Sequence, residues 1–104
     1  MTLYIDISDY NKATFVLKNE KKTFRKSFKI DSHESFKTLG YLEKFLSELR
    51  IKDKGLGIKR VVACKGPGSF TGVRVGVTIA EALGLAWKTK VKFVDKNQID
   101  KLSA

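Results

Sequence analysis

Residues 66–76 read GPGSFTGVRVG. This glycine-rich run follows a β-branched segment, Arg60–Lys65, and opens a long apolar segment that extends to Lys88. The pattern predicts a strand, a tight corner and a helix, because glycine tolerates the positive φ angles of a sharp turn and the hydroxyl of Ser69 or Thr71 can cap the helix. The corner either only redirects the chain or also holds a phosphate at the positive end of the helix.

Two common phosphate-binding loops do not fit this spacing. A Walker loop needs GxxxxGK[ST], and a dinucleotide fingerprint needs GxGxxG, whereas GPGSFTG reads GxGxxxG. A simple corner is therefore the favoured interpretation. The alternative is an anion-binding loop, and its contacts are predicted at Gly66, Gly68, Ser69, Thr71 and Gly72.

Length and composition predict one folded domain with an affinity for polyanions. The chain has 104 residues and a net charge of +10, with basic groups at Lys18–Lys29 and Arg50–Arg60. One cysteine, Cys64, and one histidine, His33, supply neither a disulfide nor a four-ligand metal site, so no metal and no cofactor is predicted. The sequence contains no bilayer-spanning run and no signal peptide, and a cytoplasmic protein without membrane contact is expected.

The order of predicted elements is βββαβαβ, which indicates an α/β fold with a mixed five-stranded sheet, as in an RNase H-like lobe. Residues 1–95 are assigned to this lobe, and residues 96–104 to a loose tail or to the start of another helix. The elements are predicted at Leu3–Ile7, Ala13–Lys18, Thr23–Ile30, Ser32–Arg50 (helix), Arg60–Lys65, Phe70–Lys88 (helix) and Val91–Val94. Asp31 or Ser32 is predicted to cap the first helix with Glu34, and Ile51–Lys59 to end it.

Both helices are more apolar than one sheet face requires. In the second, charged residues occupy one narrow strip, and small residues recur every four positions from Gly72 to Gly84, which allows another backbone to approach closely. This stripe of small residues contacts the first helix, the sheet of the same chain, or a partner. A dimer or heteromer is expected, because an apolar surface that the lobe does not cover marks an association site. The predicted interface residues are Leu42, Phe45, Leu49, Gly76, Ala80, Leu83, Gly84 and Trp87.

No catalytic residue is assigned. Asp6 follows a strand, as metal-binding carboxylates often do, but no second acid is placed to join it. His33 is explained by its place at a helix start, and Cys64 by burial on a strand.

Residues 66–76, followed by Ala80 and by ALGLA at 82–86, closely resemble the GPGSFTGLRIG…A.GLA segment of the bacterial tRNA threonylcarbamoyladenosine biosynthesis family TsaB. The resemblance extends more loosely to IDIS at 5–8, where the family shows I-D-T-[AS]. It implies an actin-like or Hsp70-like ATPase fold and a scaffold without catalysis of its own. Such a scaffold pairs through its two helices with itself or with the catalytic paralogue TsaD, which modifies adenosine 37 of tRNA, and a small ATPase, TsaE, joins them.

The sequence departs from the family at two points. The second lobe that family members usually carry is not among these residues, and Ile7 stands where the family has Thr, which weakens any phosphate role. The leading hypothesis is a non-catalytic partner of a TsaD-like subunit. The alternatives are a nucleotide-binding module or enzyme using the Gly66–Gly72 loop, and direct tRNA contact through the basic hairpin.

Overall fold

The computed structural model describes residues 1–49 and 57–104, which fold around one five-stranded sheet. Each strand coincides with a predicted one, because β-branched and aromatic residues favour extended backbone, and the ends differ by at most one residue. The strands are β1 (Thr2–Asp6), β2 (Lys12–Lys18), β3 (Thr23–Lys29), β4 (Arg60–Cys64) and β5 (Lys90–Val94).

The sheet has the order β3-β2-β1-β4-β5. The first three strands are antiparallel neighbours, and β1, β4 and β5 run parallel. Both parallel connections pass through helices on the same face, α1 (Thr38–Glu48) and α2 (Phe70–Trp87). The predicted mixed sheet and its element order are confirmed.

The main core lies between the sheet and these two helices. Alternate strand residues point to this helix-covered face, and seven of them are at most 2% exposed: Leu3, Ile5, Ala13, Phe15, Leu17, Val61 and Ala63. On α1, the Phe45 ring lies 6.0 Å from that of Phe15, and Tyr41 stacks on Phe28 at 4.8 Å. The α2 helix packs mainly over β4, β1 and β5.

The first helix does not begin as predicted. Residues Ser32–Lys37 form a 3-10 segment, and the N-cap of α1 is Lys37, whose side chain makes no capping hydrogen bond. The segment is kinked at Glu34, whose backbone is not helical, and Glu34 forms an ion pair with Lys37 three positions later. The predicted cap by Asp31 or Ser32 is therefore wrong for α1. The predicted helix end at Arg50 and most of the predicted break lie outside the described residues.

The last residues are not a loose tail. Lys96–Leu102 forms a third helix, α3, because Asp95 accepts a hydrogen bond from the Gln98 amide at 2.8 Å while the Gln98 side chain bonds back to the Asp95 amide. Ile99 of α3 is buried in a second cluster on the opposite face of the sheet, with Tyr4, Val16, Val62, Cys64 and Val94. Among the residues described, no helix has the length and apolar character to cross a bilayer.

Candidate functional site

The glycine-rich loop is a corner tied to the end of β1. Its Gly66 and Gly68 have φ angles of 105° and 156°, which favour glycine. The Ser69 amide donates a hydrogen bond of 2.7 Å to the Ser8 carbonyl, and a Cβ on Gly68 would collide with the Ser8 backbone. The favoured reading of the loop as a strand-to-helix corner is thus what the structure shows.

Ser69 is the residue that starts α2. Its hydroxyl oxygen accepts a hydrogen bond of 3.2 Å from the Gly72 amide, and its carbonyl accepts one of 2.8 Å from the Val73 amide. The prediction that Ser69 or Thr71 caps this helix is confirmed for Ser69. The Ser69 amide donates to the Ser8 carbonyl, so it is not free to donate to an anion at this loop.

The small residues of α2 face the protein's own sheet. A Cβ on Gly72 would meet the Ile7 carbonyl, one on Gly76 would meet the Ile7 side chain, and one on Gly84 would meet Val91. Ala80 is fully buried. Of the alternatives for this stripe, contact with the sheet is the one the structure supports, because the helix needs small residues to approach the strands closely.

Four predicted interface residues are therefore interior. Leu42 and Phe45 are 1% and 3% exposed and pack into the core, and Gly76 and Ala80 are covered by the sheet. They have almost no exposed surface in this lobe, and their role in an interface stays a prediction. Gly84, at its close approach to Val91, also turns towards the sheet.

The other three predicted residues lie at the rim of the core. Leu49, Leu83 and Trp87 are half-buried and pack against the main cluster from its edge. Each keeps part of its surface in contact with solvent. Their role in an interface stays a prediction.

A different set of apolar side chains is exposed on the helical side. We call it the helical surface: Phe36 is 76% exposed, Leu39 47%, Phe70 74% and Leu85 83%. Sequence periodicity missed Phe70 and Leu85 as surface residues because α2 is apolar around most of its circumference, and it also missed Phe36, which lies in the 3-10 segment. A partial signal existed, since Phe70 and Leu85 lie on the same side as the charged strip at 100° per residue.

The outward side of α2 combines this apolar surface with charge. Arg74, Glu81 and Lys88 are all exposed, which confirms the predicted charged strip, and the Arg74 guanidinium lies 5.4 Å from the centre of the Phe70 ring. A depression of about 360 Å³ runs beside them and is lined partly by Val75 and Ile79. Charged and exposed apolar side chains therefore share this side of α2.

The strand-end acid Asp6 is engaged inside the protein. Its Oδ1 accepts hydrogen bonds from the Ser8 hydroxyl at 2.5 Å and the Ser8 amide at 3.0 Å, and its Oδ2 lies 2.6 Å from Nζ of Lys96 on α3. Burial alone would raise the pKa of Asp6, but the hydrogen bonds from Lys96 and Ser8 outweigh it and hold the pKa below its ordinary value. Sequence reasoning missed Lys96, although the capping pattern of Asp95 and Gln98 indicates that a helix begins there.

Cys64 is a buried thiol. Burial raises its pKa, although the Gly66 amide donates a hydrogen bond of 3.4 Å to its sulfur. Such a thiol is a poor nucleophile at neutral pH. The side chain of His33 lies outside what the structure describes, and within residues 1–49 and 57–104 no three acid, cysteine or histidine side chains converge as metal ligands.

Comparison with known proteins identifies relatives. A family model described as "TsaD: tRNA N6-adenosine threonylcarbamoyltransferase" matches residues 31–99. The chain is 28% identical over 102 residues to the tRNA threonylcarbamoyladenosine biosynthesis protein TsaB of Bacillus subtilis, a match that covers 98% of this chain and 43% of that protein. The chain thus spans less than half the length of this relative.

Solved structures show the same fold. YeaZ from Pseudomonas aeruginosa aligns with a TM-score of 0.77 and 22% identity over 90% of this chain and 43% of its own. An uncharacterized protein described as similar to peptidase YeaZ from the same organism aligns with the same score and identity, over 42% of its length. The RNase H-like single lobe and the TsaB resemblance are both confirmed.

Proposed function

We propose that this chain, which belongs to the TsaD family of tRNA N6-adenosine threonylcarbamoyltransferases, is a non-catalytic cytoplasmic partner in tRNA threonylcarbamoyladenosine synthesis. It pairs with a TsaD-like catalytic subunit through the helical surface, and a TsaE-like ATPase joins the assembly. The exposed apolar residues of that surface carry the proposal. The similarity to TsaB is the reason for proposing threonylcarbamoyladenosine synthesis as the pathway.

The helical surface has enough apolar area to support an interface. Phe36, Phe70 and Leu85 are each about three-quarters or more exposed. Burying a Phe or Leu side chain contributes roughly 1.5–3 kcal/mol, so these three residues together contribute about 4.5–9 kcal/mol before the entropic costs of association are subtracted.

The charged strip of α2 suits a specific partner. Arg74, Glu81 and Lys88 border the apolar residues, where charges favour the correct orientation and reject wrong partners more than they add affinity. A second copy of the chain offers the same surface and is the competing occupant. A homodimer would be symmetric, so the same helical surface of both copies would form the interface.

The strand-end groups support a role without catalysis. The Asp6 carboxylate is held by Lys96 and Ser8, and the Cys64 thiol is buried with a raised pKa. Neither group is poised to accept a proton or attack a substrate at neutral pH. The chemistry is therefore assigned to the catalytic partner.

Reconstitution tests this function. A TsaD-like subunit, a TsaE-like ATPase, unmodified tRNA, ATP and an activated threonylcarbamoyl donor are combined with and without this chain, and modified adenosine 37 is quantified by mass spectrometry. We expect product only when the chain is present, and comparable product with the Cys64→Ser variant. The proposal would be contradicted if the rate of adenosine 37 modification were the same without the chain. It would also be contradicted if a folded Cys64→Ser variant gave no product.

A nucleotide-binding role for the Gly66–Gly72 loop makes a different prediction. Titration of the chain with ATP and magnesium in a calorimeter would then give micromolar binding. Because the loop is tied to Ser8 through the Ser69 amide, we expect no such binding. A clear saturable heat would favour this alternative over the scaffold.

A further inference from the structure

The face of the sheet opposite α1 and α2 carries an unusual concentration of basic residues. In strand order from β3 to β5, the register places two neighbouring rows there, Thr23-Lys18-Thr2-Arg60-Lys90 and Arg25-Val16-Tyr4-Val62-Lys92. The rows share this face because Tyr4, Val16 and Val62 belong to the cluster under α3. The rows thus contain five basic residues and no acid.

Two of these cations are used within the protein. Lys18 donates to the Leu102 carbonyl at 3.1 Å, and Arg25 donates to the Ser103 carbonyl at 3.0 Å, so both neutralise the negative end of α3. This contact explains why the β2–β3 side of the face is basic. It does not explain the other side.

The remaining three cations, which we call the basic face, are Arg60, Lys90 and Lys92. All three are exposed, and none forms an ion pair with a residue in the described part of the chain. Arg60 and Lys90 are direct neighbours on parallel strands, about 4.8 Å apart. Like charges opposite one another destabilise a sheet, although lysines on an edge strand such as β5 also hinder pairing with another sheet.

We propose that the basic face binds the phosphate backbone of tRNA, an inference that rests on the proposed function for the identity of the RNA. Several cations on a fixed sheet match a polyanion better than a single small anion, because each phosphate contact also releases a condensed counterion. The net charge of +10 draws RNA towards the molecule, and the basic face fixes where it binds.

The location of the basic face suits a three-part assembly. The strands separate it from the helical surface, so the chain can contact RNA on one side and the catalytic subunit on the other. A depression of about 590 Å³ adjoins it near Thr2 and is lined by Lys18, Lys21 and Glu20. It extends the basic surface towards the β2–β3 turn, where the sequence predicted RNA contact.

A charge-matched pair of variants tests the inference. One is Arg60→Gln/Lys90→Gln/Lys92→Gln, and the control is Lys44→Gln/Arg74→Gln/Lys88→Gln, which removes the same charge from exposed positions on the helical side. Binding of the isolated chain to labelled tRNA is measured by fluorescence anisotropy between about 50 and 200 mM salt. Urea unfolding verifies that each variant is folded. If the basic-face triple variant is not folded, the single Lys92→Gln variant replaces it.

We expect the basic-face variant to bind tRNA about tenfold more weakly, with a salt slope lower by about 3, and the control to retain most of its affinity. Equal losses in the two variants would show binding by net charge alone and would overturn the inference, as would no loss in either. Complex mass with the TsaD-like subunit should be the same for wild type and the basic-face variant. A failure to form that complex counts against the proposed function and leaves the tRNA comparison intact.

Discussion

The ammonium nitrogen of Lys96, on α3, lies 2.6 Å from Oδ2 of Asp6, the last residue of β1. The contact joins residues 90 positions apart and fixes the last helix to the end of the sheet. It also gives the strand-end carboxylate an internal cation. The position where the TsaB resemblance places a phosphate-facing turn is therefore organised here as a structural ion pair.

Replacing Lys96 should destabilise the fold. The Lys96→Met variant leaves the largely buried Asp6 with only its Ser8 donors, and the loss of a charged hydrogen bond costs about 1–3 kcal/mol. Urea unfolding followed by circular dichroism measures the loss. Lys101→Met, an exposed change on the same helix, is the control and should lie within about 0.5 kcal/mol of wild type. Equal midpoints for the two variants would show that the ion pair does not stabilise the fold.

The same pair gives a pH dependence of defined sign. Hydrogen bonds from Lys96 and Ser8 overcome the effect of burial and keep the pKa of Asp6 below its ordinary value of 3.8, so its contribution is present above that value and is lost as pH falls through the folded-state pKa. For Lys96, burial lowers the pKa, but the hydrogen bond to Asp6 outweighs it and raises the pKa above 10.5, so its contribution is lost only as pH rises through that higher value.

The expected result is that wild type exceeds Asp6→Asn in free energy of unfolding by a constant amount between about pH 5 and 9, and that the difference shrinks in stronger acid. Urea midpoints of both proteins across this range measure it. A difference that grows as the pH falls below 3.8 would contradict the assigned direction of the shift.

Two glycines at different sites should respond to alanine in opposite directions. A Cβ on Gly72 meets the Ile7 carbonyl, a backbone atom that cannot move aside, so Gly72→Ala should cost at least about 2 kcal/mol. Gly40 lies within α1 and has open space around it, so Gly40→Ala should stabilise the protein by about 0.5–1 kcal/mol. Thermal unfolding of both variants measures the contrast, and a harmless Gly72→Ala would refute the close approach of α2 to β1.

The cap of α2 can be tested by changing one hydroxyl at a time. Ser69→Ala removes the acceptor of the Gly72 amide and should cost about 1 kcal/mol, whereas Ser69→Thr keeps a hydroxyl and should recover most of it. Thr71→Ala, at an exposed position in the first turn, should be nearly neutral. If Thr71→Ala proves the more damaging change, the cap has been assigned to the wrong residue.

Much of the fold could be predicted from local sequence. The five strands follow from alternating β-branched and aromatic residues, and the Ser69 cap and the glycine corner follow from residue type alone. The start of α1 was predicted wrongly because Asp31, Ser32 and Glu34 satisfy the cap pattern, yet the Glu34–Lys37 ion pair accompanies a 3-10 turn instead.

The interface was harder to predict because α2 is apolar or small around most of its circumference. Periodicity identifies such a helix as buried but cannot say which side meets the sheet. The decisive contacts lie between elements: Gly76 against Ile7, which is distant in sequence, and Gly84 against Val91 of β5. The Asp6–Lys96 pair was missed for the same reason, since nothing in the sequence near Asp6 indicates a lysine 90 positions away.

The most direct test of the account is the affinity of this chain for a TsaD-like catalytic subunit, measured by calorimetry with the mass of the complex checked by light scattering. Wild type should form a complex of summed mass, and Leu85→Arg or Phe70→Arg should bind at least about tenfold more weakly. Tyr10→Arg, a matched change at a residue 68% exposed in the β1–β2 turn, should bind like wild type. Unaltered affinity in both helical-surface variants, or no complex with wild type, would contradict the proposal that the helical surface is the partner-binding site.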